Sequence, residues 1–454
     1  MFNSRYVFLV ACLGLAAGCS PPNNARPASQ APDGDRRVAQ QAQQDGDRLY
    51  SRTKVQNFEA IRQANRQVRV SGAQSPSIVL IILPEVAPSD LGCYAGRDLG
   101  TPNLDRLAAE GMRFTNFYAG SPLPIPARAC LQTGRHSGHV NLRRTTPPNT
   151  LESGETTLAE VLWHGGYSTF GVGRWDLGDS GTSGAPYAQG FDLWFGSLDR
   201  NAARAPFPSV VWRNMTQVQV NGTASGAPVA ANGLFSGEAE ALISIQASTS
   251  RRMFLLVSYA DLAASGIATK DRRAQVSQLD AEVGRIITAL ERRGMLGSTL
   301  FLVTSDVPGA PAKPEIANAL AESRLKVPLL MRWPRLVPAG GVDERPSAHW
   351  DLLPTIATAI GAWRVPPLLD GIPLIQKTLP KPTAIAREML YWEIHEPAYA
   401  RAVRYGNWWA MSARASPWQL YDLAADPLAR KNVAAAHGDT LKKIDRFARA
   451  SHVD

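Results

Sequence analysis

Residues Ser77–Leu83 read SIVLIIL, a continuous apolar run of seven residues that has the length of a β-strand. Such a run suits a strand buried on both faces of a sheet, as in parallel sheets that helices cover. Residues 276–290 carry apolar side chains at helical spacing and end near Gly294, which predicts a long helix with one buried face. Further strand-like runs occupy residues 168–173, 253–259, 299–306 and 327–333. Alternating strands and helices predict an α/β fold with a large, mostly parallel sheet, whose ligand site lies at the carboxyl ends of the strands.

The sequence changes character after about Arg387. Short aromatic-rich segments follow, among them MLYWEI and WQLYDL, and they favour a small antiparallel sheet closed by a terminal helix. We therefore predict an α/β domain over residues 77–385 and a small C-terminal antiparallel subdomain over residues 386–454.

The first residues, MFNSRYVFLVACLGLAAGCS, place Arg5 before a short apolar run that is typical of a secretory signal. Ala-Ala-Gly precedes Cys19, an order that resembles a lipobox, so we predict a signal over residues 1–19 and lipidation of Cys19. The alternative is an ordinary signal peptide with a chance cysteine. Ser20, rather than Asp, after that cysteine favours the outer membrane of a bacterial cell envelope, facing the periplasm.

A polar segment follows the signal. Residues 20–76 are rich in Pro, Gln, Asn, Ala and Arg and contain few large apolar residues, so we predict a flexible tether. Residues 50–70 within this tether are expected to form a short polar helix.

Composition limits the classes of function. Apolar residues make up 44% of the chain, and its formal net charge of +9 is spread without a block of like charge. We therefore expect no nucleic-acid partner.

The cysteines that remain in the folded part, Cys93 and Cys130, are too few for a disulfide framework. Buried free thiols are favoured over a single bridge between them, which an oxidising envelope would allow.

Blocks of sequence occur in a fixed order along the chain, among them TPNLDRLAAEGMRFTNFYAGSP (residues 101–122), QTGR, GFDLWFG and LYDLAADPLARKNVA. Their content and order resemble the sulfatase family of the alkaline phosphatase superfamily, and they cover nearly everything after the tether. The resemblance implies the fold of that family: a large, mostly parallel sheet flanked by helices, with a small C-terminal antiparallel subdomain.

The resemblance also implies where the family holds calcium. In active members two adjacent aspartates follow the first strand, and here the pair is Pro84-Glu85. An Asp-Asn pair that completes the site appears as Asp306-Val307. Because calcium takes six to eight oxygen ligands, we interpret Glu85 and Asp306 as vestigial ligands and expect no metal or other cofactor.

The nucleophile of the family lies in a C/S-x-P-x-R segment, where Cys or Ser becomes formylglycine. Here the segment, residues 124–128, reads PIPAR, so a proline that cannot act as a nucleophile takes its place. We interpret Cys130 as a core thiol, and Ser121 lies three residues too early to substitute. The alternating prolines at 122, 124 and 126 predict a stiff, extended loop. No catalytic residue is predicted.

Other positions of the family's site are also altered. The family's Lys-Trp-His appears as Arg174-Trp175-Asp176, and its second histidine falls in the Asp261-Leu262 region. Its lysine aligns near Ala317, with Lys313 close by in the sequence.

The groups that survive near this site are basic. Arg128, Arg135 and Arg174 map there, and guanidinium groups suit sulfate or phosphate oxygens, so Arg128 and Arg174 are candidate anion-binding residues. The alternative for Arg128 and Arg135 is a structural role, paired with internal carboxylates and carbonyl groups.

A retained fold with lost chemistry predicts a catalytically inactive sulfatase-fold lipoprotein of the cell envelope, with a binding or scaffold role. The alternative is a sulfuric or phosphoric ester hydrolase with a rewired site, using Glu85, Asp176 and Asp306 around a different metal. A third possibility, an envelope assembly factor, differs only in its partner. The expected partners are the membrane, through the lipid anchor, and either an anionic sulfated or phosphorylated ligand or a protein of the envelope.

Overall fold

The structure is a computed structural model that describes residues 75–145, 150–198, 205–221, 227–262, 271–309, 320–362, 366, 369–375, 387–414 and 416–453. The predicted signal with Cys19, the tether up to residue 74 and the predicted polar helix over residues 50–70 lie outside these residues. Lys313 and Ala317 lie outside them too. Among the helices described, none combines the length and the apolar character needed to cross a membrane.

The strands of the described residues are β1 (Ser77–Leu83), β2 (Met112–Phe114), β3 (Phe117–Tyr118), β4 (Ser168–Arg174), β5 (Leu193–Ser197), β6 (Val210–Arg213), β7 (Thr216–Gln219), β8 (Met253–Ser258), β9 (Thr299–Ser305), β10 (Leu329–Arg332), β11 (Gly341–Asp343), β12 (Ser347–Ala348), β13 (Met389–Ile394), β14 (Ala400–Tyr405), β15 (Trp408–Ala413) and β16 (Gln419–Asp422). The α-helices are α1 (Gly92–Ala95), α2 (Pro102–Glu110), α3 (Pro124–Thr133), α4 (Leu158–His164), α5 (Ala231–Gln246), α6 (Arg272–Arg292), α7 (Leu352–Ala359) and α8 (Gly438–Ala450).

A large sheet forms the centre of the fold, with the strand order β11-β2-β10-β9-β1-β8-β4-β5-β6-β7. The five consecutive strands from β9 to β5 are parallel, whereas β10 and β6 pair antiparallel on either side of them. Every residue of β1 is buried, as its unbroken apolar sequence predicts. The predicted large, mostly parallel sheet is therefore confirmed.

Helices cover both faces of this sheet. Val79, Ile81 and Leu83 of β1 belong to the core on one face, together with apolar residues of α2, α5 and α6. The alternate residues of β1 belong to the core on the other face, with α3, α4 and α7. The predicted apolar stripe over residues 276–290 is the buried face of α6, which confirms that long helix.

Two prolines of the PIPAR segment are helical, so the predicted extended loop is wrong for this part. Pro124 is the first residue of α3, and Pro126 lies in the same first turn. The first turn of a helix has no carbonyl partner for its N–H groups, so a proline there costs no hydrogen bond and its fixed φ suits the helix.

A separate four-stranded antiparallel sheet, β13-β14-β15-β16, follows near the carboxyl terminus. One of its faces packs on α8, through Ile444 and Ala448. The other face carries Trp392 and Trp409 into the core of the large sheet, and the Trp392 indole N–H donates to the Ala119 carbonyl at 2.8 Å. The predicted small antiparallel sheet with a terminal helix is confirmed.

Cys93 and Cys130 are both free thiols, which confirms that part of the prediction, but Cys93 is only partly buried. Cys130 is buried, and burial raises the pKa of its thiol well above the ordinary value.

Candidate functional site

Acidic residues follow the carboxyl ends of four neighbouring parallel strands. They are Asp306 after β9, Glu85 after β1, Asp261 after β8 and Asp176 after β4. Ligand sites of open α/β sheets lie at this edge, which is also where the resemblance predicts the family's site. We call these four residues the acidic edge.

Two members of the acidic edge have an unusual backbone. Glu85 and Asp176 have φ values of 53° and 65°, in the left-handed region that non-glycine residues seldom adopt. At Glu85 the surroundings fix this geometry, because its N–H donates to Asp306 Oδ1 at 3.1 Å and its carbonyl accepts from Arg272 Nη2 at 2.6 Å. Such residues persist only where neighbouring contacts hold them.

Asp306 is fully engaged by its neighbours. Its Oδ1 accepts from the N–H groups of Glu85 and Val307, the latter at 2.8 Å, and its Oδ2 accepts from Arg128 Nη2 at 3.0 Å. Burial alone would raise the pKa of this carboxyl group. The charges of Arg128 and Arg174 and the two N–H donors outweigh burial, so the pKa lies below its ordinary value and Asp306 is ionised.

Arg128 projects from α3 to the same edge and is 3% exposed. Besides Asp306, it donates from Nη1 to the Arg174 carbonyl at 2.8 Å and to Ser258 Oγ at 2.7 Å. Burial and the neighbouring Arg174 charge lower the pKa of Arg128, and Asp306 and Asp176 oppose this effect. The structure thus places Arg128 in a structural ion pair.

Arg174, the last residue of β4, joins two acids from different strands. Its Nε contacts Asp176 Oδ2 and its Nη1 contacts Asp261 Oδ1. Burial would lower the pKa of Arg174, but Asp176, Asp306 and Asp261 together raise it. Both predicted anion-binding arginines therefore already face carboxylates of this chain.

Some polar atoms of this group have no hydrogen-bond partner among the described residues. They are Arg128 Nε, Arg174 Nη2 and Asp176 Oδ1, each buried from solvent. Arg128 Nε lies 4.0 Å from Asp176 Oδ2, so charge attraction acts there without a hydrogen bond.

As arranged, these residues do not fit a calcium ion. Both oxygens of Asp306 already accept hydrogen bonds, Pro84 offers no side-chain oxygen, and Arg174 contacts the carboxylates of Asp176 and Asp261. A calcium ion needs six to eight oxygens, and two guanidinium groups already supply positive charge among these acids.

Residue 124, where the resemblance places the family's nucleophile, carries no reactive side chain. Pro124 is buried at the start of α3. Ser121 is 0% exposed, and its Oγ accepts from the Leu123 N–H at 3.2 Å. Cys130 lies in the second half of α3, with its Sγ 3.6 Å from the Gly120 carbonyl oxygen.

Arg135 does not belong to this group. It lies beyond the carboxyl end of α3, and its charge acts on Glu155.

Two contributors were missed from the sequence. Ser258 ends β8 and accepts from Arg128. His349 is buried between the Gly120 N–H, which donates to Nδ1 at 3.1 Å, and the Ser305 carbonyl, 2.9 Å from Nε2. Burial lowers the pKa of His349 to about 4, so the ring is neutral at pH 7. An available signal for Ser258 was its position at the end of a buried strand.

A second cluster, at the far end of α3, consists of His136, His139 and Asp370. The His139 Nδ1 lies 2.8 Å from Asp370 Oδ2, and His136 Nε2 lies 3.8 Å from the same oxygen. The Gly138 N–H donates to His136 Nδ1, which places the proton of a neutral ring on Nε2. A protonated nitrogen is not a metal ligand, so we interpret this cluster as a structural joint.

A third cluster surrounds the buried carboxylate of Glu393 in β13. Its partners are Tyr391 Oη at 2.8 Å, His395 Nε2 at 2.9 Å, His452 Nδ1 at 2.8 Å and Arg143 Nη1 at 3.2 Å. Burial opposes ionisation, but the bonds from His395, Tyr391 and His452 lower the pKa of Glu393 to about 2. The cluster ties the C-terminal sheet to Arg143 of the large domain.

Comparison with known families identifies the large domain. The family described as Sulfatase matches residues 76–261 and 266–362. The N-acetylgalactosamine-6-sulfatase of Sus scrofa is 31% identical over 356 residues, covering 68% of this chain and 67% of the relative. Arylsulfatase G of Mus musculus is 32% identical over 350 residues, covering 64% of this chain and 66% of the relative. The chain thus spans about two thirds of the length of these relatives.

Solved structures show the same fold. Ps i-CgsB, in complex with k-i-k-neocarrahexaose, has a TM-score of 0.70 at 24% identity and covers 84% of this chain and 94% of its own. BT4656, in complex with its substrate D-glucosamine-2-N,6-O-disulfate, has a TM-score of 0.67 at 20% identity and covers 82% of this chain and 96% of its own. At such identities the likeness concerns fold alone.

Proposed function

We propose that this chain, which belongs to the sulfatase family, is a catalytically inactive member that acts by binding or scaffolding. The observation that carries the proposal is Pro124, buried as the first residue of α3 where the family's nucleophile aligns. A proline side chain has no atom that can attack sulfur or be converted to formylglycine.

The contacts of the acidic edge support the same proposal. A general acid or base must reach the substrate with a proton to give or take. Asp176 and Asp306 instead accept from Arg174 and Arg128, and the arginine charges hold Asp306 ionised. This arrangement disfavours the alternative hydrolase, which would need these carboxylates as metal ligands.

The 31% identical relative supports a sulfated saccharide as the class of ligand, because its name is N-acetylgalactosamine-6-sulfatase. Arg128 and Arg174 remain candidates for binding such a group. A sulfate would have to compete there with Asp306, Asp176 and Asp261 for the guanidinium donors. We therefore favour an outer surface of the protein over the acidic edge as the place where a sulfated or phosphorylated ligand or an envelope protein binds.

We expect the purified full chain to release no sulfate from a chromogenic aryl sulfate, because Pro124 supplies no nucleophile. An Arg128→Lys variant, purified in the same way, controls for a contaminating sulfatase. Turnover above buffer that persists through purification and disappears in this variant would overturn the proposal in favour of the hydrolase.

We also propose that the protein is held at the bacterial envelope by a lipid on Cys19. Cys19→Ala is expected to move the protein from the membrane fraction to the soluble periplasm, because a diacylated cysteine supplies the anchor. Cys130→Ala is the matched control and should leave the fractionation unchanged. Equal membrane association of Cys19→Ala and the unaltered protein would contradict the lipid anchor.

A further inference from the structure

A cavity of about 230 Å³ lies between the large domain and the C-terminal sheet. Its lining comes from β11, β12 and the segment between them, from residues 372–374, and from the start of β13 and the end of β14. None of the described residues that line it belongs to the acidic edge. The volume is below the roughly 300–1,000 Å³ of sites for drug-sized ligands, so the cavity suits a small ligand or one charged group of a larger ligand.

Three arginines line this cavity, and two of them have carboxylate partners. Arg345 Nε donates to both oxygens of Asp343, at 2.9 and 3.0 Å. Arg387 donates from Nη1 and Nη2 to the two oxygens of Asp351, the latter at 2.7 Å. The charges of these two arginines are therefore balanced within the chain.

Arg404 of β14 is the third arginine, and its charge is not balanced in this way. It is 5% exposed, and its Nε donates to the Gly406 carbonyl at 2.7 Å. Among the described residues, no carboxylate lies within 4.0 Å of its guanidinium, and neither Nη1 nor Nη2 has a hydrogen-bond partner. Because a buried cation without a partner is costly, an anion in the cavity would stabilise this arrangement.

Ser347 of β12 supplies a second unused polar group in the lining. It is 1% exposed, and its Oγ has no hydrogen-bond partner within the part of the chain that the structure describes. Buried hydroxyl groups normally have a partner. Glu388 also lines the cavity, but it is exposed, so solvent and salt screen the repulsion that it would exert on an anion.

We infer that this cavity binds a tetrahedral oxyanion, the sulfate or phosphate group of a small ligand, through Nη1 and Nη2 of Arg404 and the hydroxyl group of Ser347. A planar guanidinium offers parallel N–H donors that match two oxygens of such a group, and a serine hydroxyl can donate to a third. The inference deepens the proposed function, on which it rests for the role of ligand binding, because it names the place where a sulfated or phosphorylated ligand is held.

The test measures the affinity of the purified full chain for four anions by isothermal titration calorimetry at constant ionic strength. The anions are inorganic sulfate, inorganic phosphate, glucose 6-sulfate and glucose 6-phosphate, and glucose is the uncharged control. We expect the anions to bind with a Kd of about 1 mM or lower and glucose not to bind. The ratio of the affinities for the two glucose esters identifies which group the cavity prefers.

Three variants connect this affinity to the cavity. Arg404→Gln should weaken anion binding by about tenfold or more, because it removes the charge and both Nη donors. Ser347→Ala should weaken it by about threefold, and it removes only a hydroxyl group that has no partner, so it should fold normally. Arg401→Gln is the matched control: it makes the same change of charge on the same strand, but Arg401 pairs with Asp445 of α8 on the opposite face of the sheet.

The thermal midpoint gives a second readout. Sulfate should raise the midpoint of the unaltered protein and of Arg401→Gln by more than it raises that of Arg404→Gln. The comparison between variants is needed because sulfate stabilises folded proteins in general by its exclusion from their surface.

The inference would be overturned if none of the four anions bound the unaltered protein, or if Arg404→Gln bound them as tightly as Arg401→Gln does. If Arg404→Gln does not fold, an unchanged affinity of Ser347→Ala overturns it instead. These readouts are independent of turnover. Hydrolysis of a sulfate ester by the unaltered chain would therefore contradict the proposed function without changing the result for the cavity.

Discussion

Replacement of Asp306 by asparagine is expected to destabilise the protein by about 3–5 kcal/mol, because it leaves a buried guanidinium without its charge partner. Asparagine keeps the shape and one carbonyl oxygen for the Glu85 and Val307 N–H groups. Its amide group cannot satisfy Arg128 Nη2, which now donates to Asp306 at 3.0 Å.

Chemical denaturation followed by circular dichroism measures this effect. The matched control is Asp439→Asn, which removes a carboxylate that is 93% exposed and pairs with Lys442. Such surface pairs contribute about 0–1 kcal/mol, so this variant should unfold close to the unaltered protein. Equal stability of the two variants would mean that the Arg128–Asp306 pair is solvated and that the acidic edge is accessible to solvent.

Glu393→Gln is expected to lower the free energy of unfolding by about 3 kcal/mol at pH 7. The amide cannot carry the negative charge that Arg143, His395 and His452 surround. Lowering of the pKa from 4.5 to about 2 corresponds to that free energy. For a carboxyl group with a depressed pKa, this stability is present above pH 4.5 and is lost as the pH falls toward 2.

The free energy of unfolding should therefore differ between Glu393→Gln and the unaltered protein at pH 7, and the difference should shrink as the pH falls below about 4.5. Glu388→Gln is the matched control, because Glu388 is exposed. A difference that stays constant down to pH 3 would show that the charge of Glu393 is not what stabilises the joint between the C-terminal sheet and the large domain.

The sheet could be predicted because its signal is local. SIVLIIL at residues 77–83 and the apolar stripe of α6 report burial directly, since a strand buried on both faces has no polar side to show. The strands of the C-terminal sheet could be predicted because short aromatic-rich segments are typical of strands. The start of α3 could not be predicted, because prolines favour both an extended chain and the first turn of a helix.

The proline at residue 124 can be read directly from the sequence, because the PIPAR segment occupies consecutive positions, and the loss of the nucleophile stays a prediction. The partners of Arg128 and Arg174 could not be predicted from the sequence. Arg174 and Asp261 are 87 residues apart, and their contact depends on β8 lying beside β4 in the sheet. Sequence spacing does not give strand order, so the ion pairs of the acidic edge could be identified only from the structure.

Sulfate release by a Pro124→Cys variant tests the central claim most directly. This change recreates the family's C-x-P-x-R segment with Pro126 and Arg128. Co-expression with a formylglycine-generating enzyme, with conversion confirmed by mass spectrometry, supplies the missing nucleophile, and the assay contains calcium.

Nucleophile and metal act as a unit, so the nucleophile without the metal should give only slow sulfate release. We predict no turnover above buffer, because Asp306 remains paired with Arg128 and Pro84 offers no ligand. Robust hydrolysis from this single change would contradict the account, since it would require a working metal site at the acidic edge.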